Sequence, residues 1–218
     1  MLLSKLTQPL AALALLAAAS TSFAQFADTN PGTPVEGGMI PGPDTVLWDN
    51  TVINNTTAGI VSLQAANLPA GANMANTADD FVIPAGETWN ITFIFSTGFT
   101  SAGAANPDSF GIDFHADNAG LPGALLETRV VPFGGVANDT TQELTLPTPV
   151  SLGEGTYWVS VYGIYNNFVA LASERWNWST GTIAIGTEAA LQDTAALFGG
   201  IPWTPLSGLG VTDPSALF

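Results

Sequence analysis

Residues 110–117, Phe-Gly-Ile-Asp-Phe-His-Ala-Asp, alternate without a break between apolar and polar side chains. Phe110, Ile112, Phe114 and Ala116 occupy one set of positions, and Gly111, Asp113, His115 and Asp117 the other. A period of two belongs to a β-strand with one face buried; a helix would scatter these four apolar residues around its axis. Trp89, Ile91, Phe93 and Phe95 repeat the pattern against Asn90, Thr92, Ile94 and Ser96, which predicts a second strand with an aromatic inner face. Residues 125–131 and 141–146 are further strand candidates. Residues 155–165 (GTYWVSVYGIY) are apolar on both faces and suit a central strand covered on both sides. Residues 168–178, 182–185, 202–206 and 216–218 complete the set, and residues 188–198 (EAALQDTAALF) suit one or two helical turns.

Turn signals punctuate these runs: Pro84-Ala85-Gly86, Asn106-Pro107-Asp108, Gly120-Leu121-Pro122-Gly123, Pro147-Thr148-Pro149 and Gly153-Glu154-Gly155. Short strands between regular turns predict an all-β fold, a single antiparallel β-sandwich of jelly-roll type over residues 45–218. No internal repeat and no second domain is visible.

The first 24 residues carry one cation, Lys5, then the apolar run LAALALLAAA at 10–19, then Ser22-Phe23-Ala24. A basic start, an apolar stretch too short to span a bilayer and an A-x-A-like site predict a secretory signal peptide, hence a secreted or cell-surface protein. Residues 25–44 are rich in Pro and Gly without periodicity and predict a flexible leader. No later apolar run approaches a membrane span.

The 218-residue chain has a formal charge of −15, and all 18 acidic residues follow Ala24, where Arg129 and Arg175 are the cations. Such a surface repels nucleic-acid phosphates and anionic lipid, and suits cations or a basic partner. With 12 Phe, 6 Trp and 3 Tyr it is not a disordered composition. The absence of cysteine excludes thiol catalysis, Cys-ligated zinc and iron–sulfur clusters.

Residues 78–91 (ADDFVIPAGETWNI), 114–123 (FHADNAGLPG) and 152–159 (LGEGTYWV), in that order, resemble a β-sandwich domain of exported bacterial proteins. Some members of that family carry a C-terminal PEP-type sorting tail, and others are attached to secreted hydrolases. The resemblance covers residues 78–165, and implies a sandwich fold and a surface location but no catalytic residues. This chain has no sorting tail, and it stops at Phe218 where a last strand is expected to continue.

Few residues point to chemistry. His115 is the single histidine, and with Asp113 it lies on one strand face without a G-x-S-x-G nucleophile. The acids Asp79, Asp80, Glu154 and Glu174 show no spacing that selects a glycosidase pair. Because neighbours on a strand diverge, one of Asp79 and Asp80 is expected to point inward and bond a nearby loop. Asp113, Asp117 and Asn118 gather oxygens of the kind calcium prefers, with Asp117 also placed to accept amide bonds from the Gly120 turn. Trp176 and Trp178 share a face and, with Tyr165, form a candidate platform for stacking sugar rings; Tyr162 and Trp203 extend it. The alternative is that these rings are core.

Three function classes follow. The first is a secreted non-catalytic binding or surface-interaction module, for extracellular polysaccharide or a surface protein, with carbohydrate as the ligand class and Ca²⁺ as a structural ion. The others are a matrix or envelope component without a small ligand, and a secreted hydrolase using acidic residues.

Overall fold

A computed structural model of the chain describes residues 27–28, 46–49, 59–68, 74–134, 141–171, 173–181, 186–194, 200–212, 215–216 and 218. The expected signal peptide, most of the expected leader and the strand expected at 182–185 lie outside the described residues.

Two long strands organise the molecule. β4 (Met74–Thr100) and β7 (Thr141–Tyr165) run antiparallel from the Ala78–Ser160 pair to the Thr97–Thr141 pair. Their register breaks twice, between Ile83 and Thr88 and between Ile91 and Phe93. The first break sets Pro84-Ala85-Gly86 opposite Gly153-Glu154-Gly155, and Gly86 N donates to Glu154 Oε2 at 2.6 Å. Gly86 adopts φ +82°, which a glycine permits at little steric cost. These two turn signals therefore mark a bend shared by both strands, not chain reversals.

On one side of the bend, β5 (Ser109–Asp117) lies between β7 and the edge strand β6 (Pro122–Pro132). β3 (Leu63–Ala65) sits between β4 and β7, antiparallel to the first and parallel to the second. β9 (Ala190–Asp193) pairs with β4 and with β10 (Ile201–Pro205). On the other side, residues 98–100 of β4 pair with β8 (Trp176–Gly181), which also pairs with β2 (Gly59–Val61) and β11 (Ser215–Ala216). β1 (Ala27–Asp28), inside the expected leader, adds to β2. The fold is thus nearly all β with an open, mixed sheet. The β3–β7 pairing departs from the expected all-antiparallel arrangement. Ser62 shapes this contact: its hydroxyl donates to Val161 O at 2.6 Å and accepts Thr77 N at 3.2 Å.

The far half of the ribbon folds over the near half. Arg129 stands in register with the fully buried Ile112, and its guanidinium reaches Thr148 O at 3.0 Å and Pro149 O at 3.4 Å. Between the two halves lies the core. Phe81 meets Trp89 in a stacked pair (6.2 Å) and Phe114 edge-on (6.5 Å), Phe110 meets Trp176 edge-on (5.1 Å), and Trp178 meets Phe218 (6.0 Å). Each fully buried Ile, Leu or Phe here contributes about 1.5–3 kcal/mol.

The helical turns expected at 188–198 are corrected: residues 190–193 are β9, because their edge bonds to β4 outweigh a weak local propensity. The strand expected at 168–178 begins only at Trp176. Among the described residues the one helical element is a 3₁₀ turn, Leu206–Leu209, and no helix is long and apolar enough to cross a membrane.

Candidate functional site

The register break at Thr92 creates the most distinctive surface. Trp89 and Ile91 are buried, but beyond the break Ile94 and Ser96 are the buried ones, and Phe93 and Phe95 are only half-buried. At the break Thr92 alone stands opposite residues 146–149 of β7, and the buried positions of β4 change parity there. The expected single aromatic face is thereby split in two. Phe93 and Phe95 pack edge-on at 5.2 Å.

These residues line a groove of about 480 Å³. Residues 88–95 form its floor, Val46, Leu47 and Trp48 form a wall, and Phe81 and Phe218 close its inner side. The lining contains no titratable side chain. Trp89 Nε1 donates to Glu87 Oε2 at 2.8 Å, whereas Trp48 Nε1 is buried without an acceptor. Through residues 88–97 β4 pairs with β7 on one side, and among the described residues no strand pairs with its other side.

A second cluster lies on the outer face of the near sheet. Asp80, Trp158 and His115 stand side by side on β4, β7 and β5, and the row Ala78, Ser160, Asp113 and Thr128 runs beside them. The Trp203 ring of β10 meets His115 edge-on at 5.6 Å and helps bury Trp158. Asp113 Oδ1 accepts Thr128 Oγ1 at 2.7 Å and Tyr162 OH at 3.4 Å. Burial pushes the Asp113 carboxyl above its usual range, against the pull of the Thr128 hydroxyl and of His115. His115, 7% exposed, places Nδ1 3.3 Å from Gly123 O, so Nδ1 carries the proton and the buried Nε2 is left without a partner. Burial lowers its pKa. Asp117 accepts Trp158 Nε1 at 2.9 Å and Gly120 N at 3.2 Å, the amide bond expected of it. Asp80 accepts Thr187 N at 2.8 Å, and Gly186 lies so close that a Cβ there would come within 2.6 Å of its carboxylate.

Of the neighbours Asp79 and Asp80, it is Asp79 that points inward. Its Oδ2 accepts Ser215 Oγ at 2.7 Å and Ala216 N at 2.9 Å. Burial raises its pKa well above the ordinary value.

The stacking platform is corrected. Trp176, Trp178 and Tyr165 are 2%, 0% and 2% exposed, so no sugar ring reaches their faces. Trp176 and Trp178 do share a face, but it is the core face, and Tyr165 OH donates to Ala105 O at 3.2 Å. Nor does the geometry assemble an ion site. Asp113 Oδ1 accepts from both Thr128 and Tyr162, Asp117 accepts from Trp158 and Gly120, Asn118 N closes the turn onto Leu121 O at 2.8 Å, and Asn118 itself is exposed. Among the described residues no group of three or more His, Asp or Glu is placed to hold a metal. Glu154 and Glu174 bond backbone amides at separate bends.

Sequence reasoning missed the groove residues Trp48, Phe93, Phe95 and Phe218. One signal was available: residues 88–97 (TWNITFIFST) contain neither a charge nor a proline. In comparisons with known proteins, no family model matches the chain, no curated protein matches its sequence, and no solved structure matches its fold.

Proposed function

We propose that this chain is an exported, non-catalytic surface-interaction module, built as a β-sandwich whose two faces are the near and far halves of the β4–β7 ribbon. The observation that carries the proposal is the groove along β4. It is concave and aromatic, it offers Thr88, Asn90 and Thr92 as polar contacts, and no Asp, Glu, His, Lys or Arg side chain lines it. The buried acids sit elsewhere and are occupied: Asp79 by Ser215 and Ala216, Asp113 by Thr128 and Tyr162, Asp80 by Thr187. Hydrolysis by two acids needs carboxyls facing each other across an open cleft, and these do not line one. Export rests on the residues before Gln25, and the resemblance over residues 78–165 to exported β-sandwich domains agrees with it.

The test is a set of thermal melts of the purified protein with soluble polysaccharides, with millimolar CaCl₂ and with EDTA, beside the same melts of Phe93→Ala. A ligand specific for the folded state raises the melting temperature by mass action. The proposal expects a ligand whose stabilisation is lost in Phe93→Ala. A Ca²⁺-dependent rise would restore the ion reading. Turnover of any offered polysaccharide would overturn the non-catalytic reading.

A further inference from the structure

We infer that the β4 groove receives an extended, apolar peptide strand bearing Lys or Arg, which pairs with the edge of residues 88–97 that no strand among the described residues occupies. This rests on the interaction-module reading and names the partner class.

Two sheet edges compete for attention, and they are treated differently. β6 has Pro122 and Pro132 at its ends, two register irregularities against β5, and a Glu127–Arg129 ion pair at 2.8 Å with Glu127 exposed. Prolines, bulges and charged side chains are devices by which edge strands avoid pairing with other chains. Leu125, Leu126 and Val130 are exposed on β6, and those devices guard the edge that carries them. Residues 88–97 of β4 have no proline, no charge and high β-propensity, with a single register break at Thr92. Left bare, such an edge is an aggregation hazard; its lack of protection fits a strand that is meant to be paired.

The backbone left unpaired among the described residues decides between peptide and sugar. Ten residues of strand offer about 33 Å of alternating N–H and C=O groups, which only another strand matches in spacing. The half-buried Phe93 and Phe95 supply apolar contact beside that edge.

Charge decides which strand. The groove has Glu87 at its start, Glu143 in register with Phe95, and Asp49 directly after Trp48, while no cation lines it. A second copy of this chain would bring acid against acid. A strand with Lys or Arg complements the rim.

The test selects a phage-displayed library of random decapeptides on the purified full chain and measures recovered peptides by fluorescence anisotropy. The expected peptides alternate apolar residues and carry Lys or Arg. N-methylation of every second amide weakens them at least tenfold. Phe93→Ala and Phe95→Ala weaken them similarly with an unchanged circular dichroism spectrum, and Leu125→Ala on β6 has no effect. Failure to enrich such peptides, or peptides indifferent to N-methylation and to both Phe variants, overturns the strand-docking proposal. If instead a polysaccharide stabilises the protein and Phe93→Ala abolishes that effect, strand docking falls while the interaction module stands.

Discussion

The carboxylate of Asp79 and the hydroxyl of Ser215 meet at 2.7 Å inside the core, although 136 residues separate them in the chain. Ala216 N adds a second bond to the same oxygen. A buried acid thus ties β11 to β4 and holds Phe218 near Phe81 and Trp178.

That arrangement makes stability depend on pH. Burial raises the carboxyls of Asp79, Asp80 and Asp113, so each holds its proton in the folded state at pH values where the unfolded chain has released it. Their contribution is full below the unfolded value of about 4 and is lost as pH rises through the folded values, by at most about 1.4 kcal/mol per pH unit per group. The difference in melting temperature between the native protein and Asp79→Asn is therefore expected to shrink as pH rises from 4 to 8. A constant difference would show that Asp79 titrates normally.

His115 has the opposite sign. Its folded pKa lies below the usual value of about 6.5, so its contribution is present above that pH and is lost as pH falls toward the folded value. As the single histidine it gives an isolated NMR signal. Its Cε1 proton shift is expected to titrate with a midpoint below 6.5, and a midpoint at or above 6.5 would contradict the buried, Trp203-covered position.

Glycine positions separate packed from open backbone. A Cβ at Gly98 would overlap the Trp176 ring and come within 2.7 Å of Asn177 O, so Gly98→Ala is expected to cost about 1–3 kcal/mol. Gly153, on the exposed bend of β7, has nothing within 4 Å of such an atom and no positive φ, so Gly153→Ala is expected to be neutral or to stabilise by about 0.4–1 kcal/mol. Urea melts of both variants check the pair.

The tryptophan correction carries its own prediction. Trp178→Ala empties a fully buried site and is expected to cost about 3–5 kcal/mol. Any polysaccharide that stabilises the protein should do so equally in Trp176→Phe. Selective loss of that response in a folded Trp176→Phe protein would restore the platform reading.

Local periodicity made β5 legible, because one period-two run between two turns has a single interpretation. The ends of β4 and β7 were not legible. Pro84-Ala85-Gly86 and Gly153-Glu154-Gly155 look like chain reversals until each is placed opposite the other, and that pairing spans 68 residues between Gly86 and Glu154. The inward turn of Asp79 followed from strand alternation, but its partner Ser215 did not. Phe93 and Phe95 were placed on the wrong face, since the bulge opposite Thr92 lies in residues 146–149 of β7; Pro147-Thr148-Pro149 marks it, but nothing in the sequence says which residue of β4 it faces. His115 and Asp113 looked like a solvated face; covering them required Trp203 from β10, and long-range packing of that kind is invisible in a window.

The central claim is that residues 88–97 of β4 present in the groove an edge that no strand among the described residues pairs. Residue-resolved amide hydrogen exchange by NMR tests it most directly. Residues 110–115 of β5, paired on both sides by β6 and β7, are expected to exchange slowly throughout. Residues 88–97 are expected to alternate, with amides donated to β7 slow and those between them fast. Added decapeptide from the library selection should slow the fast set. Uniform protection of residues 88–97 in the free protein would mean that the edge is already covered, and would contradict the account.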